Sequence, residues 1–120
     1  MKKVLVAEDS PLSRQIIEAF LSNIEIDLHF AVDGDEAYAK AIDLNPDLVI
    51  LDIMMPGSDG IKVTEMLRER DSLKLTPIII FTALEDRDTM QRCLKAGATD
   101  IIHKPLKRDV LLEKISIHLK

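Results

Sequence analysis

Apolar residues fall in short, nearly unbroken runs along the chain, and each run is followed by a stretch whose apolar positions recur at helical spacing. The runs cover residues 3–7, 27–31, 48–51, 78–81 and 99–103. Several are almost continuously apolar, as strands covered on both faces of a parallel sheet must be. After the first run, Leu12, Ile16, Ile17, Phe20 and Leu21 share one helical face. Ser10 is placed to cap that helix, Pro11 suits its first position and Asn23 suits its stop. Residues 35–44 predict a second helix, closed by Asn45-Pro46 because the residue before a proline avoids the helical region. Further helices are predicted over 61–70, 86–96 and 108–119, the fourth of the five ending at Gly97.

Five alternating β and α units, with no linker, repeat or low-complexity stretch between them, predict one α/β domain over residues 1–120. The expected form is a doubly wound (βα)5 sandwich around a five-stranded parallel sheet, strand order 2-1-3-4-5, with right-handed crossovers. A closed eight-unit barrel needs far more chain. Open sheets of this kind bind ligands beyond the carboxyl ends of their strands. The unusual polar residues fall at those ends: Glu8-Asp9 after the first strand, Asp52 after the third, Thr82 after the fourth and Lys104 after the fifth. In the order 2-1-3-4-5 those strands are contiguous, so the residues converge on one mouth and edge strand two supplies none of them.

Composition narrows the chemistry. Apolar residues make up 47% and charged residues 31%, which is ordinary for a folded domain. A net charge of -5, with only three Phe and one Tyr, argues against direct binding to nucleic acid or an anionic membrane. A single cysteine, Cys93, allows no internal disulfide and suits a reducing compartment. The apolar run after Met1-Lys2-Lys3 stops at Glu8-Asp9, too short for a secretory signal or a membrane span, so a cytoplasmic location is expected.

Bringing Glu8, Asp9 and Asp52 together would raise their pKa values by mutual repulsion unless a cation intervened. A hard divalent ion such as Mg²⁺ resolves this, since it takes oxygen ligands and retains water and phosphate oxygens in its shell. A carboxylate beside such an ion can attack phosphorus and form an acyl phosphate. The Lys104 ammonium and the Thr82 hydroxyl would then share the phosphoryl oxygens with the metal. Taken singly, each residue has a plainer explanation: Asp9 or Ser10 caps a helix, Asp52 makes a turn, Thr82 caps, and Lys104 lies on the surface. Their joint arrival at one mouth is what those explanations leave unaccounted for.

The segments Val4-Leu5-Val6-Ala7-Glu8-Asp9-Ser10, Leu51-Asp52-Ile53-Met54-Met55-Pro56-Gly57-Ser58-Asp59-Gly60, Phe81-Thr82-Ala83, Ala96-Gly97-Ala98 and Lys104-Pro105 resemble the receiver domain of two-component response regulators, from residue 3 to about 119. The resemblance implies that Asp52 is the phosphoacceptor, charged from a sensor histidine kinase or a histidine phosphotransfer protein. It implies Mg²⁺, with Mn²⁺ as a substitute, on Glu8, Asp9, Asp52 and the backbone carbonyl of Met54. Thr82 takes the place of the switch hydroxyl and Lys104 that of the family's lysine, with a cis Lys104-Pro105 peptide. Receiver domains usually carry an aromatic residue three positions before that lysine, and here the position is Ile101; Leu106, where Phe is common, departs less. The implied output is a surface of the fourth helix, fifth strand and fifth helix, read by an output partner or a covalently linked output domain, with a phosphorylation-dependent homodimer as a further form. Met54 and Leu84 occupy the positions that tune phosphate lifetime, and neither can hold a hydrolytic water by hydrogen bonding. The implied role is a signalling phosphoacceptor that promotes only its own phosphorylation and dephosphorylation. Either a free-standing receiver or one excised from a longer regulator fits.

The principal alternative is a haloacid-dehalogenase-type Mg-dependent phosphohydrolase. That class needs a general-acid aspartate two residues after its nucleophile, where this chain has Met54, and places its acidic pair late in the chain. Nucleotide binding fails for want of a Gly-rich phosphate loop. A receiver-like fold that takes no phosphate is disfavoured by retention of all five site residues. Pro56-Gly57 and Asp59-Gly60 read as turn and cap chemistry, Asp33-Gly34 as a turn, and Met54-Met55 mainly as backbone and packing residues. Cys93 reads as a small core filler, and His29, His103 and His118 as surface or sheet-edge residues without metal-ligand spacing.

Overall fold

The computed structural model describes residues 1–119. Five strands, β1 (Lys2–Ala7), β2 (Ile26–Ala31), β3 (Leu48–Asp52), β4 (Ile78–Thr82) and β5 (Asp100–His103), alternate with helices α1 (Pro11–Phe20), α2 (Gly34–Leu44), α3 (Gly60–Arg68), α4 (Arg87–Ala96) and α5 (Arg108–His118). Every strand pair is parallel, in the order β2-β1-β3-β4-β5. The doubly wound sheet expected from the sequence is therefore the fold observed.

Pleating sends successive side chains of a strand to opposite faces. On β1, Val4 and Val6 join Ile50, Ile79, Phe81 and Ile102 beneath α1 and α5, with Ile17 of α1, the Leu21 that closes it, and Leu111 and Ile115 of α5. Leu5 and Ala7 join Val49 and Leu51 beneath α2 and α3, which contribute Ala37, Ala41, Val63 and Leu67. A third cluster, Ile53, Ile61, Ile80, Cys93 and Ala98, lies under α4. Burial on both faces explains why β3 and β4 are buried at every position, whereas edge strand β2 is mostly half-buried. The Cys93 thiol is fully buried, and that burial pushes its pKa up, so it packs as a small apolar residue.

Helix starts follow their caps. Ser10, Asp33, Asp59 and Asp86 each accept a backbone N–H from three residues onward. Asp33 is thus a cap rather than a turn residue, and Glu36 Oε1 in turn accepts the Val32 N–H at 3.0 Å. Helix α3 ends at Arg68, two residues before the predicted stop, because the chain turns through a short 3-10 segment, Asp71–Leu73. The first helix closes at Leu21 rather than Asn23. His118 is not a free surface residue: its Nε2 lies 2.9 Å from Asp100, which Lys114 also binds. Burial alone would raise the Asp100 carboxyl, but these bonds outweigh it and hold it below the ordinary carboxylate range.

Candidate functional site

Strand register brings the polar residues to one end of the sheet. Ala7 pairs with Leu51, so Glu8 comes alongside Asp52, and Asp52 pairs with Phe81, one residue short of Thr82. Thr82 pairs with His103, and the next residue, Lys104, donates its N–H to the Thr82 carbonyl at 2.8 Å. Asp52 and Thr82 are the last residues of their strands, which fixes both backbones by ladder hydrogen bonds.

One carboxylate oxygen from each of Glu8, Asp9 and Asp52 lies within 4.8 Å of the others. Glu8 and Asp52 are buried, at 1% and 4% exposure, while Asp9 faces solvent. The Lys104 Nζ donates to Asp52 Oδ2 at 2.8 Å and lies 3.6 Å from Glu8 Oε1. It also sits 5.0 Å above the Phe81 ring, whose face favours a cation. The other Asp52 oxygen, Oδ1, accepts the Met54 N–H at 3.2 Å. The Lys104-Pro105 peptide is cis.

Two buried carboxylates share one ammonium and a third carboxylate stands beside them at the rim, so the cluster carries an excess of negative charge. Burial has the largest effect on Glu8 and pushes its carboxyl upward; the Asp52 hydrogen bond and charge push the same way, against Ser13 and Lys104. For Lys104, burial favours the neutral amine, yet the Asp52 bond and the two carboxylate charges outweigh it and raise its pKa. The imbalance is what a divalent cation would cancel. All donors are hard oxygens, so the set fits Mg²⁺ rather than a soft metal.

Thr82 is buried, and its Oγ1 accepts the Leu84 N–H at 3.0 Å, leaving its own proton available to donate. Ile101 is half-buried against the cluster under α4. The Met54 side chain is 67% exposed and Leu84 38% exposed, whereas Met55 is buried. Sequence reasoning passed over Phe81, and over Arg14, which donates to the Glu8 carbonyl at 2.8 Å from the first turns of α1. It also passed over the contacts of Gly34 and Gly60, although both follow an aspartate at a helix start, and that repetition was visible in the sequence.

The family model described as response regulator receiver domain matches residues 4–116. The chain belongs to that family. This receiver domain is 40% identical over 111 residues to the transcriptional regulatory protein ResD of Bacillus subtilis, covering 92% of this chain and 45% of ResD. It is 30% identical to protein PilG of Pseudomonas aeruginosa, over 98% of this chain and 87% of PilG. It spans about half the length of ResD and of the regulatory protein VanRB of Enterococcus faecalis. Among solved structures it superposes on the chemotaxis protein CheY4 of Vibrio cholerae with a TM-score of 0.93 at 32% identity, over 99% of both chains. The receiver domain of sensor histidine kinase PA1611 from P. aeruginosa gives a TM-score of 0.91 at 29% identity, over 98% of this chain and 97% of that one. That structure has a magnesium ion coordinated in its active site cleft. The receiver is a signalling domain of two-component systems, and the phosphohydrolase alternative finds no support. Among the described residues no helix is long and apolar enough to cross a membrane.

Proposed function

We propose that Asp52 is the phosphoacceptor of a single receiver domain over residues 1–120, charged in the cytoplasm from a phosphohistidine on a sensor kinase or a phosphotransfer protein. The observation that carries this is the buried Asp52 carboxylate at the end of β3, held by Lys104 at 2.8 Å and grouped with Glu8 and Asp9. Glu8, Asp9, Asp52 and the Met54 carbonyl would hold Mg²⁺, with Mn²⁺ as a substitute. When bound, the cation neutralises the carboxylates and draws in the oxygens of the incoming phosphoryl group. An Asp52 oxygen attacks phosphorus; a P–O bond forms as the P–N bond breaks, and the imidazole leaves with the electron pair. Lys104 exchanges its bond to Asp52 for one to a phosphoryl oxygen. Thr82 turns its hydroxyl proton toward another. The chain promotes its own phosphorylation and dephosphorylation and turns over no separate substrate.

The movement of Thr82 would be felt at Ile101, which lies one pleat from it across the β4–β5 pair. A branched aliphatic side chain cannot swing as an aromatic ring does, so the surface of α4, β5 and α5 responds by repacking of the cluster under α4. An output partner, a covalently linked output domain or a second copy of the chain would read that surface.

The test uses a small-molecule phosphodonor with Mg²⁺ and intact-mass measurement. Wild type should gain the mass of one phosphoryl group, and Asp52→Asn should lose that gain entirely. A wild type that gains nothing, or a variant that gains as much, overturns the assignment.

A further inference from the structure

The loop that follows Asp52 is held between two helix starts that meet its backbone directly. A Cβ added at Gly34, the first residue of α2, would overlap the Ser58 carbonyl oxygen and lie 2.6 Å from its carbon. One added at Gly60, the first residue of α3, would overlap the Asp52 carbonyl oxygen and lie 2.9 Å from its carbon. Neither position has a positive φ. Both glycines therefore serve closeness of approach, not an unusual backbone conformation.

Polar contacts join the same surfaces. The Gly34 N–H donates to the Pro56 carbonyl at 3.3 Å, and the Ser58 hydroxyl donates to Asp35 Oδ1 at 3.3 Å. Gly57, with φ of 75°, adopts a conformation that side chains resist. A Cβ there would come within 3.0 Å of Asp35 Oδ2. Asp33 and Asp59 cap the two helices, so each start is itself fixed. The loop thus rests on α2 through backbone at Gly34 and through a carboxylate at Asp35.

We infer that Gly34 and Asp35 are positioning residues for the phosphoryl site: they set residues 53–59 so that the Met54 backbone stays against Asp52, whose Oδ1 accepts its N–H. The inference rests on the reading of Glu8, Asp9 and Asp52 as a Mg²⁺ site. Helix α2 supplies no residue to that site, yet its first turn limits where the Met54 peptide can lie. A loop freed from α2 can still fold and still carry Asp52, which is anchored in β3. It loses the fixed Met54 peptide, and with it the geometry that the cation needs.

Calorimetric Mg²⁺ titrations of wild type, Gly34→Ala, Asp35→Ala and Ala41→Gly separate positioning from stability. Ala41 is fully buried in α2, two turns beyond Gly34 and without the Gly34 and Asp35 contacts to the loop, so Ala41→Gly weakens the helix and its packing while leaving those contacts in place. Gly34→Ala is expected to weaken Mg²⁺ binding about tenfold, and Asp35→Ala about threefold, with the wild-type Kd kept by Ala41→Gly. Exchange of the Met54 amide, measured without metal, should quicken in the same order. Wild-type affinity in both loop variants overturns the inference, as does an equal loss in Ala41→Gly. If Gly34→Ala does not fold, Asp35→Ala carries the test, and wild-type affinity there overturns it. If wild type takes no Mg²⁺, or Asp9→Asn binds it unchanged, the metal-site reading itself falls and takes the positioning role with it. That outcome is distinct from a wild type that binds metal while its loop variants bind it equally well.

Discussion

At the amino end of the sheet the Arg68 guanidinium bonds the carbonyls of Gly97, Leu73, Lys74 and Thr76 and the Thr99 hydroxyl, at 2.7 to 3.2 Å. At the carboxyl end Glu8 and Asp52 share the ammonium of Lys104, and Asp9 stands beside them at the rim. Both ends bury charge. Burial lowers the Arg68 pKa, but each of its three nitrogens meets an oxygen of the 3-10 turn, the β4 approach or the α4–β5 connection, with three carbonyls converging on Nη1. The carboxylates are not matched. Matched charge ties elements together, whereas unmatched carboxylate charge leaves binding free energy in reserve for a cation.

Replacing Arg68 should open the largest gap between the ends. Arg68→Ala leaves several carbonyls without their donor and is expected to cost about 3 kcal/mol in urea unfolding. Its Mg²⁺ affinity and phosphoryl uptake per folded molecule should match wild type. A parallel loss of Mg²⁺ affinity would break the comparison, because it would make Arg68 part of the site.

A smaller effect is expected beside it. Gly97 closes α4 at φ of 110°, and a Cβ there would lie 2.7 Å from the Arg68 side chain. Gly97→Ala should cost about 1–2 kcal/mol, again with an unaltered site. A mild cost with normal Mg²⁺ binding sharpens the contrast.

The smallest effect belongs to the other end and concerns pH. Because the Glu8 carboxyl is raised in the folded chain, chiefly by burial and then by Asp52, the folded state holds its proton more tightly than the unfolded one. Its contribution to stability is full below the unfolded pKa and is lost as pH rises through the folded pKa. Metal-free wild type should therefore lose stability relative to Glu8→Gln as pH climbs through the mildly acidic range, measured by thermal melts. Saturating Mg²⁺ should recover the loss in wild type. A stability difference that runs the other way would mean that Lys104 already balances the cluster.

The fold was legible because its strands are buried on both faces: β3 and β4 announce themselves as apolar runs that end in a polar residue. The candidate site was legible for the same reason, since Asp52, Thr82 and Lys104 stand where apolar runs stop. Residues whose roles depend on approach between distant segments were not. Arg68 looked like one more charged residue near a helix end, and only the folded chain shows its fan of carbonyls. Gly34 suggested a turn, because the Ser58 carbonyl that excludes a side chain there is far away in sequence. Helix ends were misjudged by a residue or two where a cap or a 3-10 turn, rather than periodicity, decides the boundary.

The bond from Lys104 to Asp52 joins residues 52 apart in sequence, and Glu8 meets the same ammonium from the first strand. No contiguous stretch of the chain holds the site. A molecule still being synthesised, or one clipped before β5, has an aspartate but no ammonium beside it. If Asp52 takes phosphate as proposed, that competence arrives only with completed folding, and a clipped or unfinished copy stays silent.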